Sequence, residues 1–245
     1  MRRMARAAAV VALLLVAVAG EGEATERRLR ESLFIGLDTS GAFYRAGHED
    51  ALAFLAHYLY GHLNGLGGLS TPLDLFVGAI GADDGEDASL AGKTIAEIEQ
   101  TLRQRFPPTE TLTHFNVFFR RVARIAAERN LLLRPITVVL ITDGLPDVAA
   151  SSPALGAAGA YRQIDLGPLE YLAPRVTVRL AYASPPVAER WHTLVPRERV
   201  RLATVSHEVM KAWRAQLRPD VAPAEQDALW QWMRQTVDVR VRRIT

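Results

Sequence analysis

Five short apolar runs separated by amphipathic stretches constrain this chain more than any other feature of its sequence. Residues 33–37, 73–80, 136–141, 176–183 and 200–205 are strand-length and dominated by Val, Ile, Leu, Phe and Ala. Runs of that length and composition read as strands buried on both faces. The stretches between them repeat apolar residues at helical spacing. Leu52, Leu55, Ala56 and Leu59 do so in residues 46–63, Ile95, Ile98 and Leu102 in 94–106, and Phe118, Val122 and Ile125 in 115–129. Residues 187–194 and 208–217 make two further helices. The alternation predicts an α/β fold, doubly wound and three-layered, with a mainly parallel sheet flanked by helices on both faces. Residues 144–174, rich in Ala, Ser, Gly and Pro, predict a loop with at most a short helix.

The two ends differ from this middle. Arg2, Arg3 and Arg6 precede an uncharged apolar run over residues 7–19 that closes on Ala17-Val18-Ala19. This is the pattern of an export signal cleaved after Ala19, which predicts a periplasmic or secreted domain. The run is shorter than the roughly 20 residues of a spanning helix, so an uncleaved anchor is the lesser alternative. Residues 20–31 form a charged spacer and 32–217 one main domain. Residues 218–245 supply a helix around Trp230 and a tail packed on the domain or trailing it. In that tail Val237, Val239 and Val241 alternate with Arg240 and Arg242, as in an edge strand or an ordered terminus.

Charge and cysteine content exclude several classes. Lys and Arg number 29 against 27 Asp and Glu. Without the three leader arginines the balance is 26 to 27, so nucleic acid is not an expected partner. There is no cysteine, which removes disulfides, thiolate metal sites, a cysteine nucleophile and a lipidated N-terminal cysteine.

Two aspartates follow apolar strands directly: Asp38 after Phe34-Ile35-Gly36-Leu37, and Asp143 after Leu140-Ile141-Thr142. In an open α/β sheet, ligands bind in the crevice beyond the carboxyl ends of the strands. Paired carboxylates there repel unless a cation or a proton lies between them, and a hard divalent ion prefers such oxygens. The hydroxyls of Ser40 and Thr113 complete an oxygen-only set.

Asp38-Thr39-Ser40-Gly41-Ala42, the distant Thr113 and the distant Asp143 together resemble the metal-ion-dependent adhesion site of von Willebrand factor type A domains. The pattern of that site is Asp-x-Ser-x-Ser with a separate Thr and Asp. Thr113 is preferred to Thr111 because it immediately precedes the helix starting near Phe115, where its hydroxyl also suits an N-cap. The resemblance spans roughly residues 32–217, with only the three motif segments specific. It implies Mg2+, or Mn2+ or Ca2+, on Asp38, Ser40, Thr113 and Asp143, and a partner protein whose carboxylate completes the ion's shell. The implied role is binding, without catalysis. Ala42 stands where the second motif serine belongs, which removes one hydroxyl ligand. A metal-free interaction domain is the alternative.

Gly92-Lys93-Thr94 offers a competing nucleotide-binding reading, but Asp87 stands where a phosphate loop needs glycine. Asp38-Thr39-Ser40 lacks the glycine that an aspartic protease carries after Asp-Thr. The acidic run 83–87 lacks the alternation of a calcium loop, and the six histidines contain no pair at zinc-protease spacing. Trp191, Trp213, Trp230 and Trp232 fall in the last quarter of the chain, where core packing is the expected role. Trp230 and Trp232 point to different faces of their helix, leaving one of them a candidate for exposure.

Overall fold

The computed structural model describes residues 30–81, 89–108, 113–146 and 156–239. Five strands, β1 (Ser32–Leu37), β2 (Asp74–Ala79), β3 (Ile136–Ile141), β4 (Val176–Ala183) and β5 (Arg201–Ser206), form one sheet in the order β2-β1-β3-β4-β5. Every pairing is parallel. The fold is therefore a doubly wound α/β sheet, as the alternation predicts.

Strand parity builds the two faces, because successive side chains of a strand point opposite ways. Leu33, Ile35 and Leu37 of β1 join Val139 and Ile141 of β3 in one core. Phe34 of β1 joins Ile136, Val138 and Leu140 in the other. The first core is covered by α1 (Gly41–Leu63) and α2 (Ile95–Arg105). The second is covered by α3 (Phe115–Glu128), then by α4 (Gly156–Arg162), α5 (Gly167–Glu170) and α6 (Pro185–Leu194). Gly36 lets α3 approach β1, since a Cβ there would lie 2.9 Å from the Phe118 ring and from Ile80.

Several elements depart from the sequence expectation. The first helix begins at Gly41 rather than 46, with a break in helical geometry at Gly47. The expected helix 208–217 is a short α7 (His207–Lys211) followed by a 3-10 turn (Arg214–Gln216), both held by a fully buried Trp213. Residues 144–174 carry two short helices, α4 and α5, while 147–155 lie outside the described set.

The last segment does not read as the period-two pattern proposes. Helix α8 (Asp227–Trp232) runs into a π-helical turn (Met233–Val237), and Leu229, Trp230, Met233 and Val237 are all part of the α1-side core. Val237 packs inward from a helical turn, so its alternation with Val239 is coincidental; Arg240, Val241 and Arg242 are outside the described residues. Trp230 is fully buried and Trp232 half-buried.

One buried carboxylate holds the loop before β5. Glu170, at the end of α5, accepts backbone N–H donors from Glu198 (2.8 Å), Arg199 (2.6 Å) and Val200 (3.0 Å). Glu170→Ala strands these amides, and since hydrogen bonds to a charged group contribute about 1.5–3 kcal/mol each and add incompletely, a loss of about 3 kcal/mol is expected. Urea denaturation of the variant measures it.

Candidate functional site

The strand order reverses between β1 and β3, because the chain leaves β1 toward β2 and returns on the far side. Beyond the carboxyl ends of these two strands lies the crevice of a doubly wound sheet. Both sequence-predicted aspartates are there. The Asp38 amide donates to the Ile141 carbonyl at 2.9 Å, which extends the ladder one residue past β1.

Asp38 is 1% exposed, and its carboxylate is the centre of a hydrogen-bond cluster. Oδ1 accepts from the Ser40 amide at 2.9 Å. Oδ2 accepts from the Thr142 hydroxyl at 2.6 Å, a short charge-assisted bond. The Thr113 hydroxyl donates across both oxygens, at 3.3 and 3.4 Å, from 75 residues away in sequence. Thr113 is buried immediately ahead of α3, yet the N-cap position of that helix belongs to His114, which makes no side-chain cap bond. The expectation that the Thr113 hydroxyl caps the helix is therefore corrected: its hydroxyl serves Asp38.

Ser40 occupies the N-cap position of α1 without a side-chain cap bond, and its amide donates to the Asp38 carboxylate. Asp143 is half-buried, and its Oδ1 accepts the Leu145 amide at 3.0 Å. Thr111 and the side chain of Ala42 lie outside the described set.

Two residues of the cluster escape a motif reading. Thr142 is fully buried, donates to Asp38 and accepts from the Gly144 amide at 3.0 Å, so it clamps both strand ends and the loop that follows. Strand parity carries the signal: the alternation that puts Ile136, Val138 and Leu140 on the α3 side continues to Thr142, and in β1 it continues from Phe34 to Asp38. His48 is the second. It is buried on α1 and hydrogen-bonds the Asp38 backbone; burial pushes its imidazole below the ordinary value, against the pull of Glu49 and Asp38.

The donor set is carboxylate and hydroxyl oxygen throughout, which suits a small hard cation and no soft one. Thr113 gives its hydroxyl proton to Asp38. Among the described residues no group of three or more His, Asp or Glu side chains converges, so any ion here relies on two aspartates, hydroxyls and water. The Gly92-Lys93-Thr94 segment has a different use. Thr94 caps α2 in a reciprocal capping box, with the Glu97 carboxylate accepting the Thr94 amide at 2.7 Å. That carboxylate stands where a phosphate would have to bind.

Two histidines whose protonation is opposed by burial, His48 and His57, make stability depend on pH. His57 packs on the Trp213 ring with centroids 5.1 Å apart. The unfolded chain takes up these protons near the ordinary value of 6.5, while the folded one resists until lower pH. Stability is thus full above pH 6.5 and falls as pH drops through and below it. Urea midpoints at pH 7.5 and 5.5 should show the loss, and His57→Gln should shrink the difference.

Fold and cluster together define an open α/β domain with an oxygen-lined site at its topological switch point. No family model matches the chain, and no curated protein matches it. Among solved structures it is similar to proximal thread matrix protein 1 from the mussel byssus, at 13% identity and a TM-score of 0.44, covering 75% of this chain and 46% of that one. It is also similar to the pilus adhesin SpaC from Lactobacillus rhamnosus GG in its open conformation, at 12% identity and a TM-score of 0.44, covering 76% of this chain and 29% of the adhesin. The chain spans less than half the length of either protein.

Proposed function

We propose that this chain is an exported protein-binding module of the von Willebrand type A kind, which holds a divalent cation at Asp38, Ser40, Thr113 and Asp143 and engages a partner's carboxylate through it. The observation that carries this reading is the Thr113 hydroxyl on the Asp38 carboxylate. It joins two of the motif's segments at the one place where a doubly wound sheet binds ligands. In this reading Asp38 supplies charge and orients the hydroxyls, Thr113 and Ser40 offer oxygen lone pairs, and Asp143 completes the set from the neighbouring strand. Mg2+ suits such a site because it keeps several waters and takes few protein ligands. A partner carboxylate then replaces one water. No residue is assigned a catalytic role. Export rests on Arg2, Arg3, Arg6 and the apolar run after them, which lie outside the described residues. Among the described residues no helix is long and apolar enough to cross a membrane.

A metal-free interaction domain is the second reading. It is favoured by the satisfaction of Asp38, whose oxygens already accept from Ser40, Thr113 and Thr142, and by Ala42 in the place of a motif serine.

Calorimetric titration with Mg2+ and Mn2+ separates the two. The cation reading expects saturable binding, weakened about 100-fold or more by Asp143→Ala and tightened about tenfold by Ala42→Ser. Absence of heat and of thermal stabilisation up to millimolar metal, in the parent and in Ala42→Ser alike, selects the metal-free domain.

A further inference from the structure

Beside Asp143 the crest of the sheet opens into a cavity of about 240 Å³. Its buried walls are Phe43 from α1, Tyr182 from the end of β4 and Val187 from α6. Leu145 also lines it and is 46% exposed, an apolar side chain left uncovered next to the candidate site. The polar members, Asp143, Ser184 and His207, are half-buried or exposed and share the rim with Leu145 above an apolar floor.

Tyr182 is held in an unusual way. Its φ is +77°, in the left-handed region that tyrosine rarely enters, and it sits in a register irregularity between Ala181 and Ala183 where β4 pairs with β5. Such a conformation persists only where the surroundings fix it. Here the Tyr182 hydroxyl donates to Asp50 on α1 at 3.1 Å, and its ring meets Phe43 edge-on at 6.0 Å. The bulge and the Asp50 bond turn the ring into a fixed cavity wall.

We propose that this cavity receives a large apolar side chain, phenyl or branched aliphatic, belonging to the same partner segment whose carboxylate meets the cation. This rests on the cation-dependent reading above. Size supports it, since an engineered apolar cavity of roughly 150 Å³ accepts benzene. Position supports it too. Asp143 is both a candidate ligand of the ion and part of the cavity lining, and successive Cα atoms are only about 3.8 Å apart. A partner chain that sets an acidic side chain on the ion therefore carries its next residues over the opening. The recognised element is an acidic residue with a large apolar neighbour one or two positions away.

The test uses three small probes and NMR shift mapping on the full chain, with and without Mg2+. Toluene reports the cavity alone, propanoate the cation alone, and 3-phenylpropanoate both. Toluene should shift the resonances of Tyr182, Val187 and Leu145 whether or not Mg2+ is present. With Mg2+, 3-phenylpropanoate should bind at least tenfold more tightly than propanoate. Val187→Phe, which fills the cavity, should abolish that advantage. Ser184→Trp, at an exposed rim position, should do the same without disturbing the core. If Mg2+ binds but toluene leaves those residues unshifted, or the two carboxylates bind equally, the cavity proposal is overturned while the cation reading stands. If 3-phenylpropanoate binds equally with and without Mg2+, the cation reading fails and takes the proposed partner with it, even where toluene still enters.

Discussion

Asp38→Ala is expected to cost the domain about 3 kcal/mol or more of stability and, under the proposed cation-dependent function, to abolish binding of divalent cations. The carboxylate is 1% exposed and accepts from the Ser40 amide and from the hydroxyls of Thr113 and Thr142. Alanine removes the acceptor that these three donors share, and each buried group left unsatisfied costs about 1–3 kcal/mol. Asp38→Asn separates charge from hydrogen bonding. Its amide oxygen still accepts, but its amide nitrogen faces a Thr142 hydroxyl that already accepts the Gly144 amide. An intermediate loss of about 1–2 kcal/mol is expected, together with the same loss of cation binding. Urea denaturation gives the first quantity and calorimetric titration the second. A stable Asp38→Ala variant that still bound Mg2+ with parental affinity would falsify the central place given to this carboxylate.

The second large effect concerns the end of the chain. Trp230→Ala should destabilise the protein by about 3–5 kcal/mol, the range for emptying a buried tryptophan site. Trp230 is fully buried, and its indole N–H donates to the Pro223 carbonyl at 2.9 Å. It also lies against the turn after α1. Gly67 there has φ +56°, and a Cβ on it would lie 2.2 Å from the Trp230 Cβ. Gly67→Ala should therefore approach the tryptophan deletion in cost, because both strain and collision fall on backbone. Leu229, Met233 and Val237 share the same core, and Asp238 accepts the Tyr58 hydroxyl at 2.9 Å. A chain ending at Leu217 would uncover this α1 face, so it is expected to be unfolded by circular dichroism and by heteronuclear NMR.

Strand positions were legible because a fully buried strand must be apolar along its whole length, and β3 and β4 match their expected bounds to the residue. Helices α2 and α3 were legible through their single apolar stripe, whereas the capping box at Thr94 emerged only from the structure. The start of α1 was not: the break at Gly47 interrupts the apolar spacing, and the first turn is held by Phe43 packing into the core. The expected helix 208–217, which is two shorter helical turns, and the valine alternation at its described start, where Val237 is helical, depart from expectation for one reason. Short windows near a chain end satisfy several periods at once, and packing chooses among them.

The candidate site divides along the same line. Apolar runs ending in Asp38 and Asp143 could be read directly, as could Thr113 ahead of a helix, since each is a local pattern. Thr142 and His48 could not be found by motif, because their roles depend on which strand neighbours β1 and on which face of α1 turns inward. The sequence by itself determined the α/β layering, the parallel sheet and the strand ends at which polar chemistry collects, all consequences of side-chain period and polarity. Only the tertiary structure decided the order β2-β1-β3-β4-β5, the meeting of Thr113 with Asp38 and the burial of the C-terminal helix. Those depend on contacts between residues far apart in the chain, whose energies no local pattern of amino acids encodes.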